Sequence, residues 1–346
     1  YIKLALTAFM ATQLLLCVDA AEKKKGKKGK KAGASKVVSD PSVVTKASIK
    51  PAIQSLISSY GDQYAQGQSL LSELDNLGND AAALNAFAKK ALVDNNPLLK
   101  NRSIVFVERK QYPKDHHNTG TIFQKGEFNH KKFDQAKGGA LKVVSLKGGS
   151  VRTLLETSQG LVRDPELNFD GTKVIFAYRK DSDDDYHIYE INTDGSNLQQ
   201  LTALKGVTDL DPFYFSDGKI GFSSTREPKF CGCNRHIMAN LFKMEADGAN
   251  IVQIGKSIEY EGHGVQMPDG RILYNRWEYV DRNFGGGQGL WISNPDGTNH
   301  ALYMWQSTPH PLLNARPIPD SNQILAIVSS CHDRPWGALA IVDRSK

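Results

Sequence analysis

Two series of Asp-Gly turns recur along the chain, and this repetition constrains the fold more than any other feature of the sequence. Stretches such as FDGTKVIFAYR and SDGKIGFSSTR carry the first series, whose turn aspartates are Asp170, Asp217, Asp269 and, with serine in place of glycine, Asp320. Stretches such as IYEINTDGSNLQQLT carry the second series, whose turn aspartates are Asp194, Asp247 and Asp296. Within each series the spacing is about 47 to 53 residues, which is typical of β-propeller blades.

Each repeat consists of short β-branched and aromatic runs, which predicts four antiparallel strands in the order A, turn, B, loop, C, turn, D. An earlier unit has SIVFVERK as strand B and GALKVVSLKGGSVRTLL as strands C and D but no strand A, and the last unit has no strand D. Because such a sheet cannot bury both of its faces alone, radial packing against neighbouring units is expected. We therefore predict an all-β fold, a β-propeller with about five visible blades, and six or more if the ring is complete.

The segment that precedes the repeats has the features of an exported protein. Lys3 is followed by the apolar run LALTAFMATQLLLCVDAAE, in which Val18 and Ala20 suit the positions before a cleavage site. We expect a signal peptide at residues 1–21, a periplasmic or secreted protein, and no transmembrane span in the mature chain. Cys17 leaves a lipoprotein anchor open as an alternative.

Charge is concentrated in one run between the signal and the repeats. KKKGKKGKK, from Lys23 to Lys31, holds seven lysines, so the net charge of +6 leaves 6 − 7 = −1 for the rest of the chain. A body without a basic stripe argues against nucleic-acid binding. We assign residues 22–46 to a disordered linker, residues 47–98 to a helical segment from their apolar spacing, and residues 99–346 to the propeller.

The stretch DPELNFDGTKVIFAYRKDSDDDYHIYEINTDGSNLQQLT resembles the TolB-type propeller repeat. The resemblance rests on Asp164-Pro165, on the two Asp-Gly turns, on IYEI and on the closing Leu201-Thr202. It implies the fold and says little about function, because one fold serves many functions.

A second resemblance covers about residues 95–346. The stretches CGCNRHIMANLFKMEADGANI and EGHGVQMPDGRILYNRWEY look like exported planctomycete-type proteins related to the hydrazine synthase alpha subunit, in which a propeller sits beside a c-type haem domain. The chain has no C-x-x-C-H haem attachment motif, and it ends at Lys346 where the related proteins continue. The resemblance implies a propeller scaffold with a metal near it, and not hydrazine chemistry.

The meander of a blade brings equivalent residues to one face. The start of strand A lies on the same face as the long B–C loops. The tight turns lie on the opposite face. Counting back six residues from each turn aspartate of the first series gives four residues that should ring the mouth of the central channel. These candidate ligand-binding residues are Asp164, Asp211, His263 and Asn314.

Further candidates lie in or beside the B–C loops of the same face, where function is often found. They are Arg179, Arg226, Arg276, His116 and His117, together with Cys231, Cys233, Cys331 and His332. The arginines can clamp an anionic group or pair with the aspartates of the ring, and we expect the pairing. His116 and His117 are either a solvated loop pair or act as metal ligands or a general base.

The cysteines leave two main interpretations open. Cys231, Cys233, His263 and His332 can hold zinc or another transition metal through thiolate and imidazole ligands. Alternatively, Cys331 forms a disulfide with Cys231 or Cys233 in an oxidising compartment. For Asp164 and Asp211, a structural role in joining adjacent blades through backbone N–H groups competes with a role in binding a cation or ligand.

These observations favour a binding or scaffold protein over an enzyme. We expect the long-loop face to bind a protein or a small ligand, with a structural metal as an option. The alternative is that the chain is the propeller domain of a larger periplasmic metal- or haem-dependent redox enzyme related to the hydrazine synthase alpha subunit.

Overall fold

The structure of the protein, a computed structural model, describes residues 44–110, 133–230, 237–278, 288–304, 311–329 and 337–343. The chain divides into two compact units. The first comprises Tyr1–Ile104 with Val144–Ser150, and the second comprises Val105–Val143 with Val151–Lys346.

The first unit contains the N-terminal helical segment. Its α-helices are α1 (Lys46–Tyr60), α2 (Gly67–Asn76) and α3 (Ala81–Lys89), with a 3₁₀ turn at Gly61–Tyr64 and a π-helical turn at Lys90–Asp94. Thr45 caps α1 by accepting a hydrogen bond from the Ser48 N–H, and Asp80 caps α3 by accepting from the Ala83 N–H.

The apolar faces of these helices pack into their own core. Ile53 and Leu56 of α1 meet Leu70 and Leu74 of α2, and all four side chains are almost fully buried. Burial of this kind holds together helices that are too short to persist alone in water. None of the helices in the described part of the chain combines the length and apolar character needed to cross a bilayer.

The second unit contains most of the β-propeller, so the predicted fold class is confirmed. The described residues form five antiparallel sheets, which we number as blades 1 to 5 in chain order. Blade 1 consists of β1 (Ser103–Arg109), β2 (Gly139–Ser145) and β3 (Val151–Thr157). Blade 2 consists of β4 (Leu161–Leu167), β5 (Lys173–Arg179), β6 (His187–Asn192) and β7 (Gln199–Gln200). Blade 3 consists of β8 (Asp209–Tyr214), β9 (Ile220–Ser224), β10 (Asn240–Met244) and β11 (Val252–Gln253). Blade 4 consists of β12 (Glu261–Gln266), β13 (Ile272–Trp277), β14 (Gln288–Ser293) and β15 (Ala301–Met304). Blade 5 consists of β16 (Leu312–Pro317), β17 (Gln323–Ser329) and β18 (Gly337–Asp343).

The Asp-Gly turns form because each residue type has a separate task. In the turn after β4, the Asp170 carboxylate accepts a hydrogen bond from the Thr172 N–H at 2.9 Å, and Gly171 takes φ = +73°. The same pair of features recurs in the turn of blade 3 with Asp217 and Gly218. Aspartate closes the turn and glycine supplies the left-handed backbone at little cost.

Strand register places the loops and the starts of the first strands on one face. Leu161 pairs with Arg179 in blade 2, and Leu312 pairs with Val328 in blade 5, so the start of strand A lies beside the end of strand B. The B–C loops therefore leave from the face where strand A begins. We call it the loop face, and the opposite side the turn face.

The first strands of blades 2 to 5 are neighbours in space. Strand β8 contacts both β4 and β12, and β12 also contacts β16. Apolar side chains fill the space between blades 2 and 3, where Ile175 and Leu210 share one fully buried cluster with Phe222. This packing fixes the positions of β4, β8, β12 and β16, which we call the inner strands.

Candidate functional site

One residue of each inner strand interrupts the regular pairing with strand B. The register shifts in all four inner strands, and in each case a residue with a φ near +50° lies inside the shift. These residues are Asp164 (φ 54°), Asp211 (φ 49°), His263 (φ 53°) and Asn314 (φ 50°). They are the four positions that the sequence places at the channel, and we call them the inner ring.

The backbone explains which residue types stand in the inner ring. A left-handed conformation is uncommon for residues other than glycine, and Asn, Asp and His tolerate it best. A β-bulge also turns its extra residue away from the regular pleat. The residue types that tolerate this conformation are polar. The bulge turns their side chains away from the regular pleat.

Three neighbouring blades are joined by the inner ring through charged contacts. The Asp211 N–H donates to Asp164 Oδ2 at 3.4 Å, which links blade 3 to blade 2. His263 Nδ1 lies 3.3 Å from Asp211 Oδ1, which links blade 4 to blade 3. Tyr260, just before β12, donates its hydroxyl to Asp211 Oδ2 at 3.0 Å. These contacts support the structural role of Asp164 and Asp211 in joining adjacent blades.

Arg163 supplies a positive charge beside both aspartates. Its Nε lies 2.5 Å from Asp164 Oδ2, and its Nη2 lies 3.8 Å from Asp211 Oδ1. Burial alone would raise the pKa of the Asp211 carboxyl, but His263 and Arg163 outweigh burial and hold this pKa well below its ordinary value. Burial raises the pKa of Asp164 and also that of Tyr260. Asp211 is therefore the fixed negative charge of the cluster.

Two residues beyond the inner ring, a second pair of charges joins the first and last inner strands. Arg316 of β16 donates from Nη2 to Glu166 Oε2 of β4 at 3.1 Å. Burial raises the pKa of Glu166, although Arg316 opposes that effect. This pair brings together residues 150 positions apart in the sequence, so it marks where blade 5 meets blade 2 at the channel.

The inner ring and this second pair line one cavity of about 160 Å³, which we call the channel cavity. Pro165, Pro212 and Gly264, which follow three of the ring residues, complete its wall. The lining offers carboxylates, an imidazole, an amide and a guanidinium within one small volume. Such a mixture can hold a polar ligand by several directed hydrogen bonds.

The three arginines after the B strands do not contact the ring aspartates, so the expected pairing is wrong. Arg179 is buried and donates to the carbonyl oxygens of Asp181 and Ser182, at 3.1 and 2.7 Å. Arg226 binds the buried Asp209 at 2.9 Å, two residues before the ring position of blade 3.

Arg276 binds Glu278 at 3.0 Å and lies over the ring of Trp291 at 4.4 Å. Like the other two arginines, it is held by neighbours within its own blade, which is why it does not reach the channel. Arg163 takes the role that was expected of these three arginines.

The remaining candidates lie outside the described residues. They are His116, His117, Cys231, Cys233, Cys331 and His332. Within the described ranges, no group of three or more His, Cys, Asp or Glu side chains is arranged to hold a metal ion. The disulfide and the metal site that involve the cysteines stay predictions.

Sequence reasoning missed Arg163, Tyr260, Glu166 and Arg316. The last two had a usable signal, because counting two residues on from Asp164 and Asn314 reaches an acid and a base. Arg163 and Tyr260 had none, since they stand at different offsets from their ring residues and only the tertiary structure brings them to Asp211.

Comparison with solved structures supports the fold. A structure of Kuenenia stuttgartiensis hydrazine synthase is similar with a TM-score of 0.56 and 18% identity, over 70% of this chain and 37% of that chain. A putative TolB from Agrobacterium tumefaciens (TM-score 0.43, 12% identity, 70% of this chain and 85% of that chain) and TolB from Acinetobacter baumannii (0.41, 12%, 76% and 73%) are also similar. No protein-family model and no curated protein matches the chain. The likeness to hydrazine synthase confirms the resemblance at the level of the β-propeller fold, and this chain spans little more than a third of that protein's chain.

Proposed function

We propose that the protein is an exported β-propeller binding module that holds a small polar ligand in the channel cavity. The observation that carries the proposal is the convergence of four equivalent polar residues, one from each inner strand, on a single cavity. Buried polar groups destabilise a protein unless they form hydrogen bonds or ion pairs. A polar lining at the centre of a propeller therefore requires a structural or functional explanation.

Part of that reason is structural, because Asp164 and Asp211 join blades 2, 3 and 4. Asn314 is different: its side chain is exposed, and its amide makes no hydrogen bond with other described residues. The Asn314 side chain therefore takes no part in joining the blades, and it lines the cavity. A cavity of about 160 Å³ has room for a small molecule, since about 10 to 15 Å³ of such space already holds one water molecule.

A thermal unfolding screen against small amines, carboxylates and sugars tests the proposal. We expect at least one compound to stabilise the wild type, by about 2.7 kcal/mol when its concentration is one hundred times its dissociation constant. The same compound should stabilise Asp164→Asn much less, because the variant loses the carboxylate that lines the cavity.

Asp170→Asn is the matched control. It makes the same change in the same blade, but at an exposed turn that does not line the cavity, so stabilisation should equal that of the wild type. Equal stabilisation of both variants, or a wild type that no compound stabilises, would contradict a ligand site in the channel cavity.

A second candidate function is favoured by the likeness to hydrazine synthase over part of that protein's chain. In this case the propeller is one domain of a larger periplasmic redox enzyme, and another domain supplies the metal or haem chemistry. Zinc or another transition metal on Cys231, Cys233, His263 and His332 fits either candidate. A C-x-x-C-H motif in the same reading frame would favour the enzyme.

A further inference from the structure

Three junctions between neighbouring blades are closed in the same way, by the glycine of a C–D turn that lies against the preceding blade. In the second and third of these junctions the approach is so close that a Cβ on the glycine would overlap the backbone of the preceding blade. The three glycines also have a left-handed backbone, with φ of +91°, +87° and +80°, which side chains other than glycine rarely adopt. The pairs are Gly195 with Leu154, Gly248 with Leu201, and Gly297 with Ile254.

The next position in this series lies beside a cavity. Each contacted residue stands six positions after the C–D turn glycine of its own blade, and the same count from Gly297 reaches Tyr303 of blade 4. Tyr303 lines a cavity of about 440 Å³, which we call the turn-face cavity. This volume lies within the range of about 300 to 1,000 Å³ that is typical of ligand pockets. Other lining residues, from blades 4 and 5, are Pro268, Arg271, Pro317 and Asn322.

Strand β18 runs up to this cavity with one edge open. β18 pairs with β17, and no strand among the described residues pairs with its other edge, whereas β6, β10 and β14 each pair with a fourth strand of their blade. Gln323, which lines the cavity, pairs with Asp343 at the end of β18 and donates to its Oδ2 at 3.0 Å. A turn seated in the cavity would therefore direct the strand that follows it along the open edge of β18. Such an edge is a template for pairing with another segment.

A cation is placed for the turn as well. In two of the closed junctions, a cation of the preceding blade donates to the carbonyl oxygen just before the turn aspartate, from Arg152 to Thr193 at 2.6 Å and from Lys243 to Pro295 at 2.7 Å. At the turn-face cavity, Arg271 donates to the Asp269 carboxylate from Nε and Nη2, and its Nη1 makes no hydrogen bond within the described residues. Nη1 can therefore donate a charge-assisted hydrogen bond to a seated turn.

We propose that the turn-face cavity and the open edge of β18 bind a segment of another polypeptide, made of a glycine turn followed by an extended strand. The turn would occupy the place beside Tyr303 that a C–D turn occupies in the three closed junctions. The strand would add to β18 through main-chain hydrogen bonds, as in other cases of strand addition. The proposal goes beyond the proposed function, because it concerns a different cavity.

A labelled peptide with the sequence EADGANIVQI, which is that of residues 245–254, tests the proposal. Fluorescence anisotropy with the whole protein should show saturable binding. Hydrogen exchange of the amides in β18 should slow when the peptide is present, because the added strand pairs with that edge. The same peptide with Gly248→Val should bind at least about 10-fold more weakly, since valine is strained in the left-handed backbone and its Cβ would meet the wall.

Arg271→Ala tests the cavity from the side of the protein. The loss of one charge-assisted hydrogen bond should weaken binding of the unmodified peptide about 10-fold. Lys219→Ala is the matched control, because Lys219 holds the equivalent position in blade 3, two residues after its turn aspartate, and does not line the cavity. This variant should bind the peptide as the wild type does.

Failure of the peptide to bind, equal binding of the valine peptide, equal effects of the two protein variants, or unchanged exchange in β18 would overturn the proposal. Slow exchange along both edges of β18 before any peptide is added would mean that the chain covers this edge itself. A dimer that forms without peptide and that Arg271→Ala dissociates would place a second copy there, and either result also overturns the proposal. None of these outcomes bears on ligand binding through Asp164, which does not line the turn-face cavity.

Discussion

Asp211→Ala is expected to lower the free energy of unfolding by about 3 to 5 kcal/mol, the usual result of removing one partner from a buried ion pair. The Asp211 carboxylate accepts the Tyr260 hydroxyl and faces both His263 and Arg163. Its side chain is only 6% exposed, so water cannot replace these contacts. Denaturant unfolding of the wild type and the variant measures the difference.

Asp217→Ala is the matched control in the same blade. Asp217 stands in the exposed turn after β8, where its side chain accepts a hydrogen bond from the Lys219 N–H. We expect a loss of less than about 1 kcal/mol there. A loss at Asp211 no larger than the loss at Asp217 would contradict the contacts assigned to the ring.

The contribution of Asp211 should also depend on pH in a defined direction. Its folded-state pKa lies below the ordinary value, which is about 3.9 in an unfolded chain. The carboxylate therefore contributes its full stabilisation above about pH 4 and loses it as the pH falls through the folded-state pKa. The difference between wild type and Asp211→Asn should shrink as the pH falls below about 4.

Asn314→Val is expected to lower the free energy of unfolding by about 2 kcal/mol, because a β-branched residue is strained at a φ of +50°. Asn314 suits this test since its side chain is exposed and its backbone N–H bonds Asn275 Oδ1. Substitution there changes backbone strain with little change in packing. The same denaturant experiment gives the value.

Two controls isolate the backbone effect. Asn314→Gly removes the same side chain but tolerates the left-handed conformation, so it should lose much less stability than the valine variant. Leu313→Val places the β-branched residue one position earlier, in regular extended strand, where valine fits well. A valine at 314 that costs no more than the glycine would show that the bulge is absent.

The propeller could be read from the sequence because its turns are local. Asp170 and Gly171 specify a turn through their own side chain and backbone, and the same chemistry recurs in blades 3 and 4. Local signals at a regular spacing report blade architecture without any knowledge of tertiary contacts. The counted offset of six residues worked for the inner ring for the same reason.

The chemistry inside the ring was harder to foresee. Asp164, Asp211, His263 and Asn314 were considered as ligands because they are polar, yet they share first of all a tolerance for the left-handed backbone. Periodicity does not reveal a β-bulge. Sequence patterns therefore located the ring but did not explain why these residue types occupy it.

Partners across blades were the least predictable part. Arg179, Arg226 and Arg276 have equivalent sequence contexts, but each is held by its own neighbours, such as Asp209 for Arg226. Arg163, which has no counterpart in the repeat pattern, supplies the charge beside Asp211. Such pairings depend on three-dimensional approach, which a spacing of about 50 residues does not encode.

A double-mutant cycle between Asp211 and His263 tests most directly whether the inner strands converge on one channel. We predict that Asp211→Asn and His263→Asn interact by about 1 kcal/mol or more, as residues in contact do. The turn-face pair Asp217→Asn and Asp269→Asn, from the same two blades, should be additive within about 0.5 kcal/mol. Additivity at Asp211 and His263 as well would mean that the two side chains do not meet, and the channel site would be contradicted.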